Sequence, residues 1–201
     1  MLAVDVSISP LGTRDRLVEA AVELFATHGF HAIGLRDLAS YVGLQAGSLY
    51  HHIENKQCLL FELIESALSD LLAITKLRME KAETPSERVC CFVQAFVSFT
   101  LNEKHRLVLI TRELVNLTEE HKYHAEQLKN NYRILLYEII ADAYGVDHEP
   151  DESIYLITNA VIGMLYGQLQ WNDGDITEQH LTELLSGCAL RIIANSKEDA
   201  Q

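Results

Sequence analysis

Apolar residues return every three or four positions along most of this 201-residue chain, and nowhere do they alternate over the length of a strand. That periodicity confines the fold to packed helices, because only a helix sets residues three and four apart on one face. In "TRDRLVEAAVELFATHGF", Leu17, Ala21, Leu24 and His28 form such a stripe, which closes at Gly29, and the spacing puts His28 on the core side. "LRDLASYV" predicts a second, shorter helix with Leu35, Leu38, Ala39 and Val42 inward, begun at Gly34 and closed by Gly43. After a link over residues 44–46, a third helix is expected over residues 47–53, with Leu49 and Ile53 facing the core. Asn55 is a good N-cap for a long fourth helix, whose apolar face runs from Leu59 and Leu60 to Leu71.

The same punctuation continues. "TPSE" at 84–87 is a capping box with Pro85 at the first helical position. "HRLVLITRELVN" predicts a shorter helix, and Thr118 caps one that runs to about Tyr144 and stops at Gly145. Pro150 opens the next, through "IYLITNAVIGMLYGQLQW", and Thr177 caps the last. The expectation is an all-α protein of about nine helices. Residues 1–12 form a flexible arm, 13–57 a compact three-helix unit, and 58–201 a larger helical domain.

A net charge of −13 argues against a protein that coats nucleic acid indiscriminately, since such proteins carry a broad basic footprint. The charge is uneven, however: residues 1–60 hold four Lys or Arg against six acids, and the rest twelve against twenty-three. A local basic face therefore remains open to the N-terminal unit. The start, "MLAVDVSISPLGTR", lacks the features of a secretory leader, and no run approaches the roughly 20 apolar residues of a membrane span. Cys58, Cys90, Cys91 and Cys188 match neither a zinc pattern nor a disulfide framework, which predicts reduced thiols, a cytoplasmic location and no membrane partner.

Two short helices joined by a tight turn at Gly43, braced by the first helix, make a helix-turn-helix. In such a unit the second short helix enters the major groove of double-stranded DNA. Gln45, Ser48, Tyr50, His51 and His52 supply groups that reach bases and phosphates, and Lys56 can pair a phosphate. Residues 13–60 resemble the DNA-binding domain of the tetracycline-repressor (TetR) family. Its pattern runs Ala, two residues, Leu-Phe, then Gly-Phe or Gly-Tyr, Arg-Asp-Ile-Ala, Gly-Val, Leu-Tyr, an aromatic pair and Lys. "AAVELFATHGF", "LRDLASYVGL" and "GSLYHHIENK" follow that order. The resemblance implies a DNA face of Arg36 with Gln45, Ala46, Gly47, Ser48, Tyr50, His51 and Lys56. Tyr50 and Lys56 would hold phosphates; Gln45 and His51 would reach base edges. Gly34 stands where the family has a hydroxyl cap, and Ile53 where it has Phe. Tyr50 has a second reading, as a purely structural ring packing the third helix on the first.

A near-neutral module this small binds weakly alone, so the remainder should supply dimerisation on an inverted-repeat operator. Ala160, Gly163 and Gly167 make a small-residue face, and the resemblance implies that the last two helices pair with their copies in a homodimer. The alternative is that this face packs within the chain. The resemblance also places an apolar effector pocket among the middle helices, which carry Phe92, Phe96, Phe99, Ile110, Tyr132 and Leu136. "HRLVLITRELVNLTEEH" and "GMLYGQLQW" are similar to a branch that responds to acyl-CoA thioesters or lipidic acids, with Arg106 or Arg112 as anion partners.

Enzyme signatures are absent: no histidine follows a Glu by three residues, and HExxH, the phosphate-binding glycine loop and the Gly-x-Ser-x-Gly elbow do not occur. No cofactor is expected. His51 and His52 point about 100° apart on a helix and cannot chelate one metal together, so no metal is expected there. The remaining alternatives are a helical lipid-binding protein and a redox sensor built on Cys90 and Cys91, whose thiol pKa a helix start would lower.

Overall fold

A computed structural model describes residues 12–146, 151–171 and 176–198, among which nine α-helices and no strand occur. The helices are α1 (Thr13–His28), α2 (Leu35–Tyr41), α3 (Ala46–Leu49), α4 (Lys56–Met79), α5 (Pro85–Asn102), α6 (Lys104–Val108), α7 (Glu119–Tyr144), α8 (Glu152–Trp171) and α9 (Glu178–Glu198). The expected arm lies outside the described residues except for Gly12. Pro150 also lies outside them; the start of α8 is capped by Asp151 Oδ1, which accepts the N–H groups of Ser153 (2.7 Å) and Ile154 (3.2 Å).

The caps legible in the sequence form as their chemistry dictates. Asn55 Oδ1 accepts Cys58 N–H at 2.9 Å, and Thr84 with Glu87 closes a reciprocal capping box. Thr118 and Thr177 accept the N–H groups of His121 and His180. Gly34 has no side chain to offer, and Asp37 compensates by accepting Gly34 N–H at 2.7 Å. The turn between α2 and α3 is a Schellman motif: Leu44 N–H reaches Ala39 C=O (2.8 Å), Gly43 N–H reaches Ser40 C=O (3.1 Å), and Gly43 sits at φ 73°.

Three local expectations need correction. The third helix is shorter than residues 47–53: α3 ends at Leu49, and a turn with 3.1 Å Ile53 N–H to Leu49 C=O carries the chain onward. His28 is exposed, because the buried face of α1 runs through Leu17, Ala20, Ala21 and Phe25. "HRLVLITRELVN" is not one regular helix: α6 passes into a π turn over Leu109–Glu113 and a 3-10 turn over Leu114–Asn116. Leu109, Ile110 and Glu113 of the π turn are buried together.

Around α5, the most enclosed helix, α4, α7 and α9 pack on different sides, and α8 lies against α7 and α9. Helix α4 begins beneath the first three helices and runs into the larger group, burying Leu59, Leu60, Leu63, Ile64, Ala67, Leu68 and Leu71 along its length. One buried apolar cluster is therefore continuous from Leu17 to Ile193. The N-terminal unit meets the rest mainly where α1 packs on α6 and the π turn. Gly43→Ala forces an L side chain into the left-handed region and should cost about 1–2 kcal/mol, read as a lower urea midpoint with an unchanged slope.

Candidate functional site

The surface of the helix-turn-helix separates cleanly into two faces. Leu38, Leu49 and Ile53 are buried, whereas Arg36, Gln45, Gly47 and His51 are exposed. Ser48 and His52 are half-buried. Ala46 opens α3; its side chain lies outside the described residues. Tyr50 is 63% exposed, so it does not pack α3 onto α1 and the purely structural reading fails. Across the unit, Tyr41 Oη donates to Glu23 Oε2 (2.9 Å), tying α2 to α1. That bond raises the Tyr41 phenol above its ordinary pKa.

Lys56 departs from its expected position. Its ammonium donates to Phe30 C=O and lies 4.1 Å from the centroid of the Phe30 ring, half-buried under the loop that follows α1. Burial lowers its pKa, and the carboxylates of Asp37 and Glu113 oppose that shift. Beside it, Glu113 is buried at the end of the π turn and Oε2 accepts both Phe30 N–H (3.2 Å) and Asn116 Nδ2 (2.6 Å). Asn116 Oδ1 in turn lies 2.9 Å from His31 Nε2. Lys56, Phe30, Glu113, Asn116 and His31 thus form one polar node between the helix-turn-helix unit and the segment after α6. Sequence reasoning missed it, because Glu113 meets Phe30 across a separation of 83 residues that no local pattern pairs.

The expected pocket residues are divided by the structure. Tyr132, with Leu68 of α4, Ile162 and Tyr166 of α8 and the α7 side chains Glu126, Lys129, Asn130 and Arg133, lines a cavity of about 250 Å³. Phe92 stacks on Tyr132 at 4.6 Å between centroids, and Phe96 meets Tyr166 edge-on at 5.0 Å. Phe92 and Phe96 therefore support the two cavity tyrosines, while Phe99, Ile110 and Leu136 are core. Burial raises the Tyr132 phenol far above its ordinary pKa and pushes Tyr166 up to about 12. The Tyr132 hydroxyl is buried out of reach of solvent beside Thr75, whose own hydroxyl donates to Leu71 C=O at 2.7 Å.

Neither expected anion partner reaches that cavity. Arg106 is held by Asp70, by Ser66 Oγ (3.0 Å) and by Glu103 (3.9 Å), all outside it. Arg112 is exposed and does not line it. The cations at the mouth are instead Lys129 and Arg133, one helical turn apart on α7 and flanking Tyr132. Arg133 hydrogen-bonds Asn130 and lies 4.3 Å from the Tyr155 ring centroid, with no carboxylate partner among the described residues. Lys129 pairs loosely with Glu126 at 3.6 Å. The lowered thiol pKa expected at a helix start is not found at Cys91, where burial raises it and Cys90 and Glu87 add to the rise against Arg78.

On α8, Ala160 and Gly163 are exposed and Gly167 is half-buried. A Cβ added at Gly163 or Gly167, or at Gly187 of α9, would meet nothing within 4 Å. The small face is not packed within the chain. Leu156 (64% exposed) and Leu184 (50%) extend it with apolar surface.

Comparison with known proteins accounts for both halves. Residues 17–63 match the model of "Bacterial regulatory proteins, tetR family", and residues 82–193 match "Tetracyclin repressor-like, C-terminal domain". The chain belongs to the TetR family. It is a helix-turn-helix regulator and not an enzyme. It is 23% identical over 198 residues to the transcriptional repressor KstR2 of Mycolicibacterium smegmatis, covering 92% of this chain and 95% of that protein. Over 60 residues it is 40% identical to KstR2 of Rhodococcus jostii, 30% of this chain and 29% of the other. Among solved structures, a TetR-family regulator from Bordetella parapertussis superposes with TM-score 0.81 at 19% identity, over 88% of this chain and 93% of that one. AibR in complex with isovaleryl coenzyme A and operator DNA superposes with TM-score 0.76 at 21% identity, over 88% and 97%. No helix among the described residues is long and apolar enough to cross a membrane.

Replacing Glu113 by Ala strands the Phe30 N–H and the Asn116 amide, so the variant should lose about 1–3 kcal/mol. Amide exchange at Phe30 should accelerate while exchange in the α5 core keeps its wild-type order; equal protection at Phe30 would contradict the assignment.

Proposed function

We propose that this regulator is a homodimeric transcriptional repressor acting in the cytoplasm, binding an inverted-repeat operator and released by a small apolar effector. Residues 13–57 read DNA, and 58–201 bind the effector and dimerise. The observation that carries the reading is the exposed face of α3 and its flanks. Gln45 and His51 contact base edges there. Tyr50, with Arg36 and the backbone around Ala46, Gly47 and Ser48, holds phosphates, and His52 lies at the margin. Lys56 acts chiefly by fixing the loop after α1, and its remaining N–H groups are available to a phosphate.

A second copy docks on the small-residue face of α8 and the parallel stripe of Leu184 and Gly187 on α9. Covering that face removes exposed leucines from water and sets two α3 helices on one side of the assembly. The effector occupies the cavity at Tyr132. Relatives whose names specify a ketosteroid regulator and an isovaleryl coenzyme A complex favour lipidic or acyl ligands for it. Occupancy shifts α7 and α4 against α6, and the Glu113 node passes the shift to the loop after α1, which sets the position of α3. A helical lipid carrier that does not read DNA is the competing account.

Selection from a random duplex library tests the reading. The wild-type protein should enrich an inverted repeat, and Tyr50→Ala or Gln45→Ala should weaken binding to it by at least about tenfold with dimer mass and helicity intact. Failure to enrich any sequence, or unchanged affinity in both variants, would sink the repressor reading. Gly163→Glu should give a monomer by light scattering, because a charge in a close helix contact has no partner; a stable dimer would place the interface elsewhere.

A further inference from the structure

A second cavity, of about 130 Å³, lies between α5, α8 and α9 and shares no lining residue with the one at Tyr132. Its walls include Phe96 of α5, Leu165 of α8 and Leu181 and Leu185 of α9, all of them buried. Wall atoms that face a void lose the contacts a neighbour would supply on that side. Engineered cavities lined by such residues, of about 150 Å³, take up benzene. The space therefore fits a single six-membered ring, and neither a long chain nor a polycyclic body.

The edge of the cavity supplies the second feature of a ligand. Lys104, exposed at the start of α6, is the one ionised side chain among the lining residues. No carboxylate lines the cavity, although the whole chain carries a net charge of −13. Lys104 makes no hydrogen bond or ion pair among the described residues, and the adjacent Glu103 turns instead to Arg106 at 3.9 Å. Gln168 of α8, half-buried at the same cavity, keeps its amide equally uncommitted among the described residues. The Thr100 hydroxyl is already used, donating to Phe96 C=O at 2.8 Å. An ammonium and an amide N–H together match an anionic oxygen.

We propose that this cavity is a second small-molecule site, which takes a single-ring aromatic carboxylate. The ring lies among Phe96, Leu165, Leu181 and Leu185, and the carboxylate accepts from Lys104 and Gln168. The site goes beyond the effector reading and does not depend on it. It sits on α8 and α9, the helices of the proposed interface, so an occupant braces both against α5. Lys104 is the specificity-determining group, since it separates the acid from a neutral alcohol with the same ring.

Calorimetric titration of the full chain with benzoate, benzyl alcohol and acetate tests the assignment without DNA. Benzoate should bind the wild type and raise its melting temperature, because a ligand held only by the folded state stabilises that state. In Lys104→Met its affinity should fall about fivefold, while benzyl alcohol binds both proteins alike. Acetate, which has no ring, should not bind measurably. Leu181→Phe puts a ring into the cavity and should abolish binding of benzoate and benzyl alcohol together; Lys104→Met, a surface change, decides the question if that variant does not fold. Arg133→Gln, at the other cavity, should leave benzoate affinity unchanged. No binding of benzoate, equal affinity in wild type and Lys104→Met, retained binding in a folded Leu181→Phe, or a loss in Arg133→Gln would each overturn the proposal. Operator enrichment is measured without ligand, so the repressor reading stands or falls separately.

Discussion

A carboxylate taken out of water must be hydrogen-bonded or paired, and Glu113 meets that demand by reaching across to another part of the chain. Its acceptance of Phe30 N–H, with Lys56 donating to Phe30 C=O, clamps both faces of one peptide segment between α1 and α2. That segment determines how α2, and through the Gly43 turn α3, is presented. The clamp joins that loop to the end of the π turn, where Leu109, Ile110 and Glu113 are buried together. The orientation of the DNA-reading face is thus held by polar contacts against an irregular segment in addition to the apolar burial of Leu38, Leu49 and Ile53.

That arrangement suits a switch. The continuous core from Leu17 to Ile193 makes the helices move as packed bodies, because close-packed side chains rearrange between discrete arrangements and do not deform smoothly. The cavity at Tyr132 interrupts this packing between α4, α7 and α8. Helix α4 passes from the cavity wall at Leu68 to the Lys56 end at the node, so one rigid element touches both places. On the proposed function, effector in the cavity and DNA on α3 would act on the same element, and each would change the affinity for the other by an equal factor.

Much of this was legible in the residues. The helices, their caps at Asn55, Thr84, Thr118 and Thr177, and the outward set Gln45, Tyr50 and His51 follow from periodicity and local chemistry. What stayed hidden has a physical reason in each case. His28 lies on the i, i+4, i+7 stripe, but the buried arc of α1 turns through Ala20 and Phe25 instead. Arg106 and Arg112 were the arginines in an apolar stretch, yet nearby Asp70 and Ser66 capture the first and solvent takes the second. Lys129 and Arg133 sit in the polar run "EQLKNNYR", where charge reads as surface, and only the packing of α8 on α7 turns them into the rim of a cavity. Glu113 finds its partner Phe30 83 residues away along the chain, a pairing that no local pattern encodes.

The most direct test of this account is hydrogen exchange of the dimer with and without its selected operator, compared between wild type and Glu113→Ala. Operator binding should slow exchange in wild type over residues 29–31 and 109–116, although the second segment lies outside the DNA-reading helices, and in Glu113→Ala the protection should stop at the helix-turn-helix. Protection confined to α2 and α3 in both proteins would contradict the claim that the buried carboxylate links the two halves.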